Sequence, residues 1–241
     1  MKKTIDADAY GKGLLDYYEG NRNAAFTVWS DVAETERWPV STFFRSEKDM
    51  PEAERLALSL CSGRVLDVGA GAGNHALWLA ERGHDVTAVD VSAGAVEVMK
   101  RRGVKDAREA DFFTLTAADG PYDTLLMLMN GIGIVGSVDR LDAFFLKAKE
   151  LLNAGGRILL DSSDIIYLFL EEDGSALIDL NAKYYGEVQY RMDYGRLKGK
   201  PFDWLFIDFD TLAAAAARHG FSCAKRFEDE HYLYLAELRM E

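Results

Sequence analysis

The chain is poor in cysteine, in positive charge and in long apolar runs, and each shortage narrows what it can be. Two cysteines, Cys61 and Cys223, lie far apart at no metal-ligand or Cys-x-x-Cys spacing. They read as buried, reduced thiols, not as a disulfide framework or a metal site. Lysine and arginine total 28 against 40 acidic residues, a formal net charge of −12. Domains that track nucleic-acid phosphates usually carry a basic face, so a nucleic-acid partner is disfavoured. No stretch reaches the ~18 apolar residues of a membrane span, and no apolar leader follows the N-terminal lysines. A soluble, cytoplasmic protein with no membrane partner is the expectation; the oligomeric state stays open. Repeats and low-complexity runs are missing too, and 241 residues suit one large domain or a core with a cap.

What is present is organised around Arg64–Ala80. Arg64-Val65-Leu66-Asp67-Val68 reads as a buried strand, and Asn74-His75-Ala76-Leu77-Trp78-Leu79-Ala80 takes helical spacing. Between them stand Gly69, Gly71 and Gly73, separated by Ala70 and Ala72. Glycine permits positive φ and close approach of a ligand to the backbone, and the helix start offers free N–H groups. Upstream, residues 1–60 read as a helical cap or lid. It contains Leu14, Leu15, Tyr17 and Tyr18, then Phe26, Trp29, Trp38, Phe43 and Phe44 in a weakly periodic stretch, then a helix over 50–61 behind Pro51.

Downstream, residues 61–241 read as the core, because strands and helices alternate as in a parallel sheet covered on both faces. Strands are predicted at 65–68, 85–89, 107–110, 124–129 and 157–160. The helix before the last of these is stopped by Gly155-Gly156. A β insert over 180–208 follows, with strands at 184–194 and 202–208. Asp210 is predicted to cap a helix over 211–219, and a hairpin at 221–227 and 232–238 closes the chain.

The glycine turn departs from the dinucleotide fingerprint G-x-G-x-x-G, since Asn74 falls where its third glycine would be. Asp67 lies just before the turn. A carboxylate there would repel a pyrophosphate and attract an ammonium or sulfonium, a difference of a few kcal/mol at ~4 Å in a partly dry cleft. The cofactor expected is therefore S-adenosylmethionine. Asp90, ending the second strand beside Val91, can accept from both ribose hydroxyls. Asp111 can accept from the adenine amino group while adjacent Phe112 packs on the ring, or it is a surface acid before core phenylalanines.

These motifs, with the apolar fourth strand and Leu151-Leu152-Asn153-Ala154-Gly155-Gly156-Arg157, resemble the successive motifs of class I S-adenosylmethionine-dependent methyltransferases. The resemblance spans about residues 60–165 and the final hairpin. It implies an α/β, Rossmann-like seven-stranded sheet in order 3-2-1-4-5-7-6 with strand 7 antiparallel. It also implies that Asp67, Gly69, Ala70, Gly71, Gly73, Asn74 and His75 hold the methionine end, Asp90 and Val91 the ribose, Asp111 and Phe112 the adenine. Met129 borders the cofactor. The cap, with Tyr18, Trp29 and Arg45, is similar to the lids of small-molecule methyltransferases of the glycine or sarcosine type, which puts Arg45 on the cofactor carboxylate.

Methyl transfer needs alignment and water exclusion above all; a base helps a protonated nucleophile. Asn130 and Asp161, at the ends of the fourth and fifth strands, are the candidate catalytic residues. Asp164, a few residues on, serves as a base or as a helix cap. Tyr184, Tyr190 and Trp204 of the insert join Tyr18 and Trp29 as the candidate pocket for a small amine or aromatic acceptor. The competing readings are a nicotinamide-dependent oxidoreductase, disfavoured by Asp67, Asn74 and the hairpin, and a non-catalytic S-adenosylmethionine-binding regulatory protein.

Overall fold

The computed structural model describes residues 8–171, 173, 175, 177 and 182–241. Helix α1 (Ala9–Tyr18) starts at Asp8, whose carboxylate accepts the Gly11 N–H at 2.8 Å. Strands β1 (Ala25–Ser30) and β2 (Glu36–Pro39) follow, then α2 (Glu52–Leu60) behind Pro51. Strand β3 (Arg64–Val68) feeds α3 (Asn74–Glu81), and β4 (Asp85–Asp90) feeds α4 (Ala93–Arg102). Ser92 caps α4 and Gly103, at φ 98°, ends it. Next come β5 (Asp106–Glu109), β6 (Tyr122–Met127), α5 (Leu141–Leu151) and β7 (Leu152–Ser163). The last third holds β8 (Glu187–Asp193), β9 (Phe202–Leu205), α6 (Phe209–Arg218), β10 (Phe221–Glu228) and β11 (Leu233–Met240).

Seven strands pair in the order β5-β4-β3-β6-β7-β11-β10, with β11 antiparallel to both neighbours. This is the 3-2-1-4-5-7-6 sheet that the motif series implied. Alternate side chains enter opposite layers. Leu125 and Met127 pack with Phe144, Phe145 and Phe221 on one face; Leu126 packs with Ala57, Leu58 and Leu79 on the other. Both faces are therefore dry, as the continuous apolar run of β6 requires. None of the described helices is long and apolar enough to cross a membrane.

The N-terminal region is helical at 9–18 and 52–60, as expected, but its aromatic middle forms strands. β1 and β2 join β8 and β9 in a second, antiparallel sheet ordered β2-β1-β8-β9. Phe26 and Val28 are buried toward α1 while Thr27 is exposed, a period-2 pattern that so short a pair cannot bury until β8 arrives from far along the chain. Residues 1–7 of the expected cap, and 180–181 of the expected insert, lie outside the described residues.

Three local expectations shift. Asp208, not Asp210, caps α6, its Oδ1 accepting the Thr211 N–H at 2.8 Å. Helix α5 ends at Leu151, before Gly155-Gly156. The glycines instead lie within β7, where pairing with β6 skips from Leu152 to Arg157.

Candidate active site

The C-terminal ends of β3, β4, β6 and β7 converge on one edge of the sheet, where open α/β folds place their ligands. Gly69, Gly71 and Gly73 all have positive φ, 70°, 55° and 81°. The turn is anchored from below, for the Gly69 and Ala70 N–H groups both donate to the Val89 carbonyl, at 2.9 and 3.0 Å. Gly71 needs its bareness twice over. Its φ suits glycine, and a Cβ would lie 2.8 Å from the Tyr10 hydroxyl, which sits over the turn from α1.

Asp90 fastens the turn from the side. Its Oδ2 accepts the Gly71 N–H at 2.9 Å and its Oδ1 the Ser92 N–H at 2.8 Å. Burial pushes its carboxyl up to about 6 against those two hydrogen bonds, with Asp8 and Asp67 raising it further. An ionised carboxylate has about four acceptor positions, so two stay available for a diol. Beside it Val91 is 70% exposed, an apolar surface for a flat base to cover. Asp111 is exposed too, with one oxygen accepting the Phe113 N–H.

Asp67 lies below the turn and is 1% exposed. Its Oδ2 has no hydrogen-bond partner among the described residues. Burial raises its carboxyl, opposed by nearby His75 and the Ala76 N–H. A buried anionic oxygen left open is costly unless something cationic meets it. The residues thus fit S-adenosylmethionine: an open carboxylate for an ammonium, a bare-backbone bend, and a strand-end acid for a ribose.

The loop after β6 is backbone-strained. Met129 and Asn130 have φ 65° and 56°, values uncommon for residues with a Cβ. Asp161, 2% exposed, clamps them by accepting the N–H groups of Met129 at 3.1 Å and Gly131 at 3.2 Å. Asn130 donates from Nδ2 to the Leu205 carbonyl at 3.2 Å and accepts the Ser163 N–H at 3.3 Å. Both expected catalytic side chains are therefore engaged in shaping the loop. An amide is no proton acceptor, and each Asp161 oxygen already holds a backbone N–H. Burial pushes the Asp161 carboxyl up to about 6, against its backbone hydrogen bonds.

Tyr190 and Trp204 share one face of the antiparallel sheet with Phe202, by the registers Val188↔Trp204 and Tyr190↔Phe202. Ring centroids are 6.2 Å apart for Tyr190 and Phe202, and 5.8 Å for Phe202 and Trp204. The Trp204 indole fills the space where a side chain at Gly133 would be. This aromatic face thus lies against the loop that follows β6.

The other expected pocket residues go elsewhere. Trp29 pairs with Arg191 and occupies the opposite sheet face, the guanidinium 5.6 Å from its ring centre, because strand alternation turns it away from Val28. Tyr18 reaches the C-terminal end of α4 and donates to the Arg101 carbonyl at 3.1 Å. Tyr184 donates to the Asp208 Oδ2 at 2.6 Å and packs on Tyr185, anchoring the start of α6. A cleft of about 190 Å³ lies nearby, lined by Asp164, Tyr185, Asp208 and Tyr232 among others. There Asp164 accepts from the Tyr185 hydroxyl at 2.7 Å and from the Ile166 N–H.

Three expected cofactor contacts are also diverted. Phe112 is buried among Phe113 and Phe144, in the core and not over a ligand. Asn74 turns outward, its Oδ1 accepting from Arg102 at 2.7 Å while the same nitrogen holds the Ala72 carbonyl at 2.6 Å. Arg45 pairs with Glu54 at 2.5 Å, and its Nε is buried with no hydrogen-bond partner among the described residues. Glu54, Arg102, Asp8 and Tyr10 escaped the sequence reading. Glu54 had a signal: it is three and four residues from Ala57 and Leu58, on the apolar stripe of α2.

Comparison with known proteins identifies the family. Residues 65–156 match the family described as "Methyltransferase domain". A crystal structure of an S-adenosylmethionine-dependent methyltransferase from Bacteroides fragilis, in complex with S-adenosyl-L-homocysteine, is 46% identical. It superposes with a TM-score of 0.90, covering 97% of this chain and 95% of that one. The CcbJ methyltransferase from Streptomyces caelestis, at 16% identity and a TM-score of 0.61 over 82% of this chain and 99% of that one, shares the fold. Methyltransferase GfsG of Streptomyces halstedii is 27% identical over 66% of this chain but 60% of its own length. The chain belongs to the S-adenosylmethionine-dependent methyltransferases, and S-adenosylmethionine is its methyl donor.

Proposed function

We propose that the protein transfers the methyl group of S-adenosylmethionine to a small molecule seated between the loop after β6 and the aromatic face of Tyr190, Phe202 and Trp204. The observation that carries this reading is the junction at Asn130 and Leu205, which joins that aromatic face to the loop bordering the glycine turn. When bound, the donor supplies a methyl group on a cationic sulfur, open to in-line attack. Asp67 faces the cationic end, Asp90 offers acceptors to a diol, and Val91 offers an apolar surface to a base. Asn130 and Asp161 fix the shape of the loop through their hydrogen bonds to Leu205, Ser163, Met129 and Gly131. Asn130 cannot act as a base, and the Asp161 carboxylate is committed to backbone N–H groups. An acceptor that arrives with a lone pair, a neutral amine or an aromatic ring nitrogen, suits these surroundings, and its charged precursor would lie well on the rings.

Two measurements test the reading. Isothermal titration of the purified protein with S-adenosylmethionine and S-adenosyl-L-homocysteine should show saturable binding of both, and none of NADH. A panel of small amines and hydroxylated compounds, screened for release of S-adenosyl-L-homocysteine, should give turnover that Trp204→Ala reduces. Binding without turnover across a broad panel would favour the regulatory alternative.

A further inference from the structure

Resting on that reading of the cofactor site, we propose that Glu54 is a positioning residue for the donor: it fixes His75 as an imidazolium that keeps Asp67 ionised beneath the glycine turn. Glu54 comes from α2, outside the strand–turn–helix unit, and its polar partners are Arg45 and His75. It is 4% exposed, and His75, in the first turn of α3, is 7% exposed. Its Oε2 lies 3.1 Å from the His75 Nε2 and its Oε1 2.5 Å from the Arg45 Nη2. The carboxylate therefore joins the segment before α2 to the helix that follows the turn.

Charge balance demands such an element. His75 is faced by Glu54 from α2, Asp67 from β3 and Asp161 from β7, and Asp67 is also near Cys61 and Asp90. Three buried carboxylates in one low-dielectric pocket cannot all stay ionised without buried positive charge. His75 and Arg45 supply it. Burial alone would push His75 toward its neutral form, but the Glu54 hydrogen bond and the surrounding carboxylates reverse that and raise it above the ordinary value. With His75 charged, Asp67 keeps its negative charge and its open Oδ2 for the ammonium of the donor. Replacing the Glu54 charge frees His75 to lose its proton. Asp67 then takes up a proton more readily and attracts the ammonium less.

The test uses Glu54→Gln, which preserves size and a hydrogen-bonding group. Nitrogen-detected NMR of the His75 ring gives its titration midpoint, and calorimetry gives the S-adenosyl-L-homocysteine affinity from pH 5.5 to 8.5. The wild type should hold His75 protonated above the ordinary histidine range. In Glu54→Gln the midpoint should fall, and the pH below which binding is lost should move upward, because Asp67 takes up its proton more readily once His75 is neutral. A folded Glu54→Gln protein with the wild-type pH dependence of binding, or with an unmoved His75 midpoint, overturns the proposal. Should that variant fail to fold, the wild-type midpoint still decides: a value at or below the ordinary range overturns it. Failure of the wild type to bind the ligand at all would instead overturn the reading of the site.

Discussion

Asp161 holds Met129 in a left-handed backbone conformation, accepting its N–H at 3.1 Å from a neighbouring strand. A methionine at φ 65° costs on the order of 1–3 kcal/mol, and the carboxylate offsets this by taking the Gly131 N–H as well. Asp161→Asn keeps an oxygen but turns an amide donor against one of those N–H groups. It should lower stability by about 1–3 kcal/mol, seen as a reduced urea midpoint. S-adenosyl-L-homocysteine affinity should change little while turnover falls. If turnover is unaffected, the clamp is irrelevant to transfer.

Asp90→Asn disturbs the turn less than alanine would, because the amide oxygen keeps one of the Gly71 and Ser92 N–H groups while alanine releases both. The amide retains one acceptor and loses the other, so cofactor binding should weaken by about 1.5–3 kcal/mol, the range for a hydrogen bond to a charged group. Calorimetry measures it, with the thermal midpoint as a fold control. Unchanged affinity removes Asp90 from the diol.

Arg102→Ala removes the hydrogen bonds to the Ala72 carbonyl and the Asn74 side chain, leaving the outside of the glycine turn unsupported. A loss of about 1–3 kcal/mol in unfolding free energy is expected, together with weaker cofactor binding. Arg102→Lys should recover one bond and part of the stability. Equal denaturant midpoints for all three proteins would contradict this role.

The buried ionisable groups set opposite pH trends for stability and for binding. Asp67, Asp90 and Asp161 are raised above the ordinary carboxylate value, the last two to about 6. Between about pH 4 and 6 the folded state therefore binds more protons than the unfolded state, and stability falls as pH rises. His75, also raised, adds stability below its ordinary value that is lost as pH rises through its folded value. Carboxylates held low, such as Asp106 and Asp123, act only below about pH 4. The ligand-free protein should thus melt higher at pH 5 than at pH 8. Cofactor affinity should instead drop below about pH 6 as Asp90 and its neighbours protonate. A thermal midpoint that climbs steadily from pH 5 to pH 8 would refute the first trend.

Periodicity and glycine spacing made the large sheet legible before any coordinates, because β3, β4 and β6 bury mostly apolar runs and α4 stops at its glycine. The second sheet was hidden. The pairing of Val28 with Met192 is a long-range fact, and neither short segment shows enough alternation to declare it. Within the site, backbone-defined positions were readable: Asp67, Gly71 and Asp90 lie where the strand ends put them. Side-chain roles were less so, since rotamer and partner decide them. Asn74 turns toward Arg102, Trp29 toward Arg191, and Phe112 into the core, choices that depend on neighbours distant in sequence. Glu54 stands beside Glu52 in the first turn of α2, and its place on the apolar stripe is the one mark that sets it apart.

The strands of the antiparallel sheet come from opposite halves of the polypeptide, residues 25–39 and 187–205. Grafting only the later segment from a relative, to import its substrate preference, would leave β8 beside a mismatched β1. On the proposed seating of the acceptor, a workable chimera exchanges both pieces together, and selectivity would be inherited as a matched pair.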